Sequence, residues 1–459
     1  MRYDGVKINH QVSPMRLKVV LAFTLLSFAI TLSAVAQESN RPVGHVAYVD
    51  QHRLWIKALP DGAVRQIAEE GATDPRWSAS GQWLMFTQAR NRSGPQALLD
   101  QQVIVPATAE SQRTFKLDGR GEWSPTRDEI AFAGPDGLSI VRVSAGGLQT
   151  RIVLPQPGVG GFSWSQDGNH LAVSVTLNRI THLWTVTAQG EQPREIAVKR
   201  FEQPRTIIQT NGQRTVQSAE FDLGEVTFAG WSGDGHWILF WPNPDHSASI
   251  AADGLPLTAV PASGGVAQRL LQALHDNDVL LFPDFVSPSP RGSGVLVTAG
   301  GNREAWTNKR VTWVDPSTGK SSILSDQKFA ASSIGWSRDG SRFACVLGPD
   351  IGSAGGGEPA QKALAQRHIW LMNADGKQPK QLTSDPSYRD EYPLWSRDGH
   401  TILFTRMNQQ NEMSLWTADV ASGTLKKVVD SIGSPIEKGN WFGYYGHLHW
   451  SSFYVAWSR

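Results

Sequence analysis

The amino-acid sequence predicts an all-β fold, a β-propeller of four-stranded blades, with eight blades if the two chain ends share one and seven if a weak copy is miscounted. A Trp-Ser pair recurs at Trp77, Trp123, Trp164, Trp231, Trp336, Trp395 and Trp450, and PSPRGSGVLV from Pro288 fills the same frame without its tryptophan. The copies follow one another at intervals of 41 to 67 residues, a period that few folds other than blades of strands provide. Each copy divides into four short runs of alternating apolar and polar residues bounded by turn residues. Helical periodicity of useful length competes only over EPAQKALAQR, inside one loop.

In chain order, the first 36 residues are expected to be a signal peptide. From Met15, itself an alternative start, MRLKVVLAFTLLSFAITLSAVAQ places Arg16 and Lys18 before an apolar run from Val19 to Leu32. Ala34-Val35-Ala36 then precedes Gln37, which predicts cleavage after Ala36. An uncleaved membrane anchor is the alternative, disfavoured because the apolar run is short and no cationic flank follows it. Removal of Arg2, Lys7, Arg16, Lys18 and Asp4 turns a net charge of +1 into −2.

The propeller is expected to occupy 43–459 as a single domain. It opens with HVAYVD, RLWIKAL and VRQIAE, three strands that lack an inner one. In the unit around Trp336, SSIGWS, RFACVL, RHIWLMNA and PKQLT are the four strands, with NADGK turning between the last two. After the last complete blade the chain offers HLHWS and then FYVAW, so the two ends are expected to share a blade.

The motif has a structural rationale. Its tryptophan ends the inner strand and can bury about 200 Å² between blades, an upper estimate of roughly 5 kcal/mol. Asp-Gly after Trp164, Trp231, Trp336 and Trp395 supplies the positive-φ turn to the next strand, and the Ser and Asp side chains can accept turn N–H groups. Elsewhere Asp-Gly decays to Ser80-Gly81, Thr126-Arg127, Arg291-Gly292 and Ser452-Phe453. Residues exchanged among copies without loss of the frame are scaffold rather than catalyst.

Composition excludes some functions. Lys plus Arg (43) nearly balance Asp plus Glu (42), which is not the footprint of a nucleic-acid binder. The single cysteine, Cys345, allows no internal disulfide, so an exported form would depend on packing. Lys320 in DPSTGKSS imitates the end of a phosphate loop, but Val314 stands where the first glycine is required. No H-E-x-x-H, CxxC or calcium-loop spacing occurs, and Asp276 and Asp278 in HDND read as a solvated loop.

The stretch HIWLMNADGKQPKQLTSDPSYRDEYPLWSRDGHTILF resembles the WD40-like repeat of TolB-type propellers, a repeat also found in propeller domains of prolyl-oligopeptidase-like peptidases. The resemblance covers about residues 43 to 459 and implies a propeller. It says little of function, because this repeat serves unrelated tasks. TolB carries a separate domain before its propeller, whereas here HVAYVD begins nine residues after the expected cleavage point. The hydrolase domain of the peptidases has no counterpart, since GWSGD at Gly230 and GFSWS at Gly161 lack the second glycine of a nucleophile elbow.

Loop lengths point to a functional face. First-to-second and third-to-fourth connections of a blade share one face, and there every turn is short. The long pieces 198–227, 242–254, 272–284, 348–366 and 430–446 belong to the opposite face. Elaborated loops on a rigid scaffold are where function gathers. The expectation is an exported, non-catalytic propeller, periplasmic or secreted, that binds a protein or cell-envelope component there. No catalytic residue, metal or cofactor is expected, no nucleic acid, and no membrane span once the signal is removed. Two alternatives stay open: a hydrolase or lyase acting on a saccharide or peptide at the channel mouth, and a structural subunit of an envelope assembly.

The candidate ligand site is GNWFGYYGHLHWSS, residues 439–452, at the expected entry to the closing inner strand. Trp441, Tyr444 and Tyr445 would form a platform. If HLHW is extended, His447 and His449 project to one side and Trp450 to the other, into the core. Arg389, Asp390 and Glu391 of the adjacent inter-blade loop would form the polar rim. The structural alternative is that the aromatics plug the closing blade. Two histidines are too few to claim a metal.

Overall fold

The computed structural model describes residues 44–457, apart from 70, 90–100, 109–112, 197, 200, 209–213, 222, 244–254, 272–278, 302, 434–444, 449 and 451–454. The expected signal peptide therefore lies outside the described residues. Among them, no helix is long and apolar enough to cross a membrane.

Eight four-stranded antiparallel sheets form the blades of a ring. Blade 8 shows the plan: an inner strand Tyr388–Trp395, then Thr401–Asn408, Met413–Asp419 and an outer strand Leu425–Ile432. The sequence expected this order for the unit around Trp336. There the strands are Phe329–Trp336, Arg342–Pro349, His368–Asn373 and Lys380–Gln381. The run EPAQKALAQR does form a helix, α1, over Glu358–Ala365.

The motif tryptophans join blades by hydrogen bonds as well as by packing. The indole N–H groups of Trp123, Trp164, Trp231, Trp336 and Trp395 donate to the carbonyls of Arg76, Glu122, Ser163, Ser287 and Gly335, at 3.0 to 3.2 Å. Each acceptor is the residue just before the motif position of the preceding blade. Of these rings Trp164 and Trp231 are buried and the other three half-buried, so the burial estimated from sequence is a ceiling for those three. Apolar clusters fill the spaces between blades, as where Val346, Ile369 and Leu371 of blade 7 meet Ile402, Phe404 and Ala418 of blade 8. Cys345 is fully buried in blade 7, and burial pushes its thiol far up.

The turn after the tryptophan has the chemistry its residues predict. Ser396 Oγ donates to Asp398 Oδ1 at 2.6 Å and accepts the Thr401 N–H at 2.9 Å, while Gly399, at φ 72°, donates to the Ser396 carbonyl. Burial raises the Asp398 carboxyl, but the Ser396 hydroxyl and the His400 amide outweigh it and hold the group below its usual range. The same bonds recur at Ser165–Asp167, Ser232–Asp234 and Ser337–Asp339.

Both chain ends build blade 1, as expected, but with a different inner strand. Val455–Trp457 pairs with Gly44–Asp50 through Val46↔Trp457, Ala47↔Ala456 and Tyr48↔Val455, and Arg53–Leu59 and Val64–Ala68 complete the sheet. The Trp-Ser pair in the frame of the closing blade is thus Trp457-Ser458. Trp450-Ser451 is not, and Tyr445–Leu448 and Trp450 belong to none of the eight sheets.

Among the described residues, the face of the first-to-second and third-to-fourth connections carries no helix. The opposite face carries α1, a short 3-10 turn at Pro283–Phe285, and a two-stranded ribbon, Phe201–Ile208 with Arg214–Phe221, which pairs with no blade.

Candidate functional site

On the loop-rich side, Tyr445–Leu448 and Trp450 are held by a buried network of ions. The Tyr445 carbonyl accepts the Ala305 N–H at 2.8 Å. The Gly446 carbonyl accepts from Arg367 at 2.6 Å and from Arg389 at 3.4 Å. Gly446 has φ 85°, and a Cβ there would stand 2.8 Å from the Trp306 ring, so the close approach requires glycine. His447 lies against Phe282 and Phe285, with ring centroids 4.1 and 4.8 Å apart, and its Nε2 is 3.2 Å from Asp284 Oδ1. The Trp450 indole donates to Glu391 Oε2 at 2.8 Å.

Glu391 is the centre of the network. Its Oε1 accepts from Arg367 at 2.9 Å and from Arg389 Nε at 2.5 Å. Burial raises its carboxyl, but the Arg389 and Arg367 guanidiniums and the Trp450 indole outweigh that and hold it down at about 2. Burial lowers Arg367 to about 10 against the pull of Glu391, so both partners are charged at neutral pH. Asp284 is likewise held low, because His447 and the Ser333 hydroxyl overcome burial.

Next to it, Asp390 takes Arg406 through two bonds, 2.6 and 2.9 Å, and stands 3.3 Å from His368 Nδ1. Its carboxyl stays below the usual range because His368 and Arg406 overcome burial. The Arg406 guanidinium sits 4.7 Å from both the Tyr388 and Trp416 ring centroids. Three guanidiniums thus engage Glu391 and Asp390, and His447 and Ser333 engage Asp284, which suits an anchor better than a reacting centre.

The polar rim expected from the sequence is corrected. Arg389, Asp390 and Glu391 do not lie on an inter-blade loop at the surface; they belong to the inner strand Tyr388–Trp395 and are 2%, 0% and 1% exposed. The expected extended HLHW lies partly outside the described residues, since His449 does; Trp450 is in the core, as expected, and His447 is buried too, the two reaching Glu391 on blade 8 and Asp284 in the 3-10 turn. Of the predicted platform, Tyr445 is described and is 37% exposed, whereas Trp441, Tyr444 and His449 lie outside the described residues. The structure therefore brings Tyr445, His447, Arg389 and Glu391 into one neighbourhood and turns Asp390 toward blade 7.

A second charged group escaped the sequence reading. The inner strand of blade 2, Ala72–Trp77, carries Asp74 and Arg76; that of blade 3, Gly121–Trp123, carries Glu122, and Arg120 stands just before it. Arg76 holds Asp74 by bonds of 3.0 and 3.2 Å, and Arg120 stands 3.6 Å from Glu122. Arg76 and Glu122 keep 37% and 27% of their side chains open to water, and Arg120 keeps 76%. Burial pushes the Glu122 carboxyl up despite Arg120 and Arg76. Tyr392, at the inner-strand bulge of blade 8 with φ 54°, is near enough to act on Arg76 electrostatically. The legible signal was internal: the other copies have an uncharged residue, Ser, Gly, Leu or Ala, before the motif position. Among the described residues, no group of three or more His, Cys, Asp or Glu is placed to hold a metal ion.

No family model matches the chain, and no curated protein matches it. Solved structures do. A structure of the eukaryotic initiation factor is 11% identical, covering 86% of this chain and 87% of its own, with a TM-score of 0.52. TolB from Acinetobacter baumannii is 11% identical, covering 85% of this chain and 65% of its own, with a TM-score of 0.36. Oligogalacturonate lyase from Vibrio parahaemolyticus is 13% identical, covering 82% of this chain and 98% of its own, with a TM-score of 0.44. At such identities the likeness is one of fold, a propeller.

Proposed function

We propose that this chain is an exported, non-catalytic propeller that binds a protein or cell-envelope component on its loop-rich face. One observation carries the reading. Elements outside the blades gather on that face, and those of blades 6 to 8 are fastened to the ring by fully engaged buried ions around Glu391. A platform so fixed presents its loops without a large ordering cost on binding. Tyr445 and Lys362 of α1 are exposed there, and Trp441 and Tyr444 belong to the same connection in sequence.

Export rests on the basic, apolar and small-residue order of residues 15–36. Fractionation of the native host should recover the protein outside the cytoplasm with Gln37 at its N-terminus. An intact N-terminus on a membrane-bound form would support an anchor instead.

Binding is tested by affinity capture from the native envelope, using the full chain and a Trp441→Ala, Tyr444→Ala double variant of unchanged melting temperature. The partner recovered by the parent should be lost from the variant by about tenfold or more in affinity. Equal recovery by a folded variant would remove this site from consideration.

A further inference from the structure

The repeat supplies its own control for what the scaffold needs. Inner strands line the channel, and the residue just before the motif position is half-exposed in blades 2 to 8: Arg76, Glu122, Ser163, Gly230, Ser287, Gly335 and Leu394. The residue one step earlier is buried in all of these except blade 5, so alternation turns the half-exposed position toward the channel. The hydrogen bond that joins blades uses the carbonyl of this residue, not its side chain. Ser163, Ser287 and Gly335 accept the next indole as well as Arg76 and Glu122 do. Blade closure therefore does not require the charges of blades 2 and 3, and the partial burial of Glu122 has a desolvation cost.

We propose that the channel wall formed by Asp74, Arg76, Arg120 and Glu122 binds a neutral, hydroxyl-rich ligand of the saccharide class. Two carboxylates and two guanidiniums lie side by side at neighbouring strands, so the wall has no net charge. A charged ligand would meet as many like as unlike partners there. A hydroxyl both donates and accepts, and it can bridge a carboxylate and a guanidinium that stand apart. Arg120 and Glu122 are such a pair, since 3.6 Å is beyond hydrogen-bond distance. This site is distinct from the loop-face site and does not depend on it.

The test uses the full chain with three neutral probes, maltotetraose, cellotetraose and chitotetraose, and two charged ones, citrate and spermidine, read by saturation-transfer NMR. At least one tetrasaccharide should bind at millimolar concentration or below. Glu122→Ser and Arg76→Ser, which install the residue of blades 4 and 6, should each weaken it about tenfold or more without lowering the melting temperature. Failure of all three sugars, a Glu122-dependent response to citrate or spermidine in their place, or undiminished sugar binding in both variants would overturn the site. So would a large loss of stability in both variants, because the charges would then belong to the scaffold.

Discussion

The Trp450 indole N–H lies 2.8 Å from Glu391 Oε2, and both side chains are shut off from solvent, which ties the segment before the closing strand to the inner strand of blade 8. The two ends of this bond are not equivalent in energy. Glu391→Gln leaves Arg367 and Arg389 buried without their counter-charge and should cost about 3–5 kcal/mol. Trp450→Phe removes one hydrogen bond to a charged group, about 1.5–3 kcal/mol, and keeps most of the ring's packing. Urea denaturation of both variants measures the order, and a Glu391→Gln protein as stable as the parent would contradict it.

Acid should act through the same carboxylate. Folding depresses Glu391 to about 2 from an unfolded value near 4.3, so its contribution is complete above the unfolded value and is lost as pH falls through the folded one. Asp284 and Asp390 are depressed as well and add to the slope in the same direction. Parent stability should therefore hold from neutral pH to about 5 and fall steeply between about 4 and 2. The Glu391→Gln protein should lose less over that window, a difference visible in denaturation curves at a series of pH values.

The blade-joining bonds predict a small, repeated effect. Trp395→Phe leaves the Gly335 carbonyl without its indole donor at 3.0 Å and should lower stability by about 1 kcal/mol, with a similar loss for Trp336→Phe. The double variant should be less stable than either single one, and because the acceptor Gly335 adjoins Trp336 the two losses are coupled rather than independent. A double variant no less stable than either single one would show that the bonds contribute nothing measurable.

Closure is tested by truncation after Asn440. The shortened chain lacks Val455–Trp457, exposing the Gly44–Asp50 edge, and loses Trp450 from the core shared by blades 1 and 8. Cooperative thermal unfolding should disappear. A truncated protein that melts like the whole one would show that the seam is dispensable.

Sequence pattern revealed what depends on near neighbours. The Ser-Asp-Gly turns, four strands per blade and eight copies follow from alternation and turn chemistry within a few residues. The closing strand was harder, because Trp450-Ser451 and Trp457-Ser458 stand seven residues apart and each follows a strand-like run. Pairing with Gly44–Asp50, almost the whole chain away, settles which one enters the frame. The Arg389-Asp390-Glu391 triplet read as solvated for a similar reason. Its partners Arg367, Arg406, Gly446 and Trp450 come from other strands and loops, and only the fold brings their charges together.

Cys345 offers a consequence of a different kind. As the sole thiol, fully enclosed in a central strand of blade 7 and pushed by burial far from its reactive form, it cannot meet an aqueous thiol reagent while the ring is intact. Every modification event then records one opening of the structure, so the rate of labelling under native conditions serves as a clock for how often the propeller breathes.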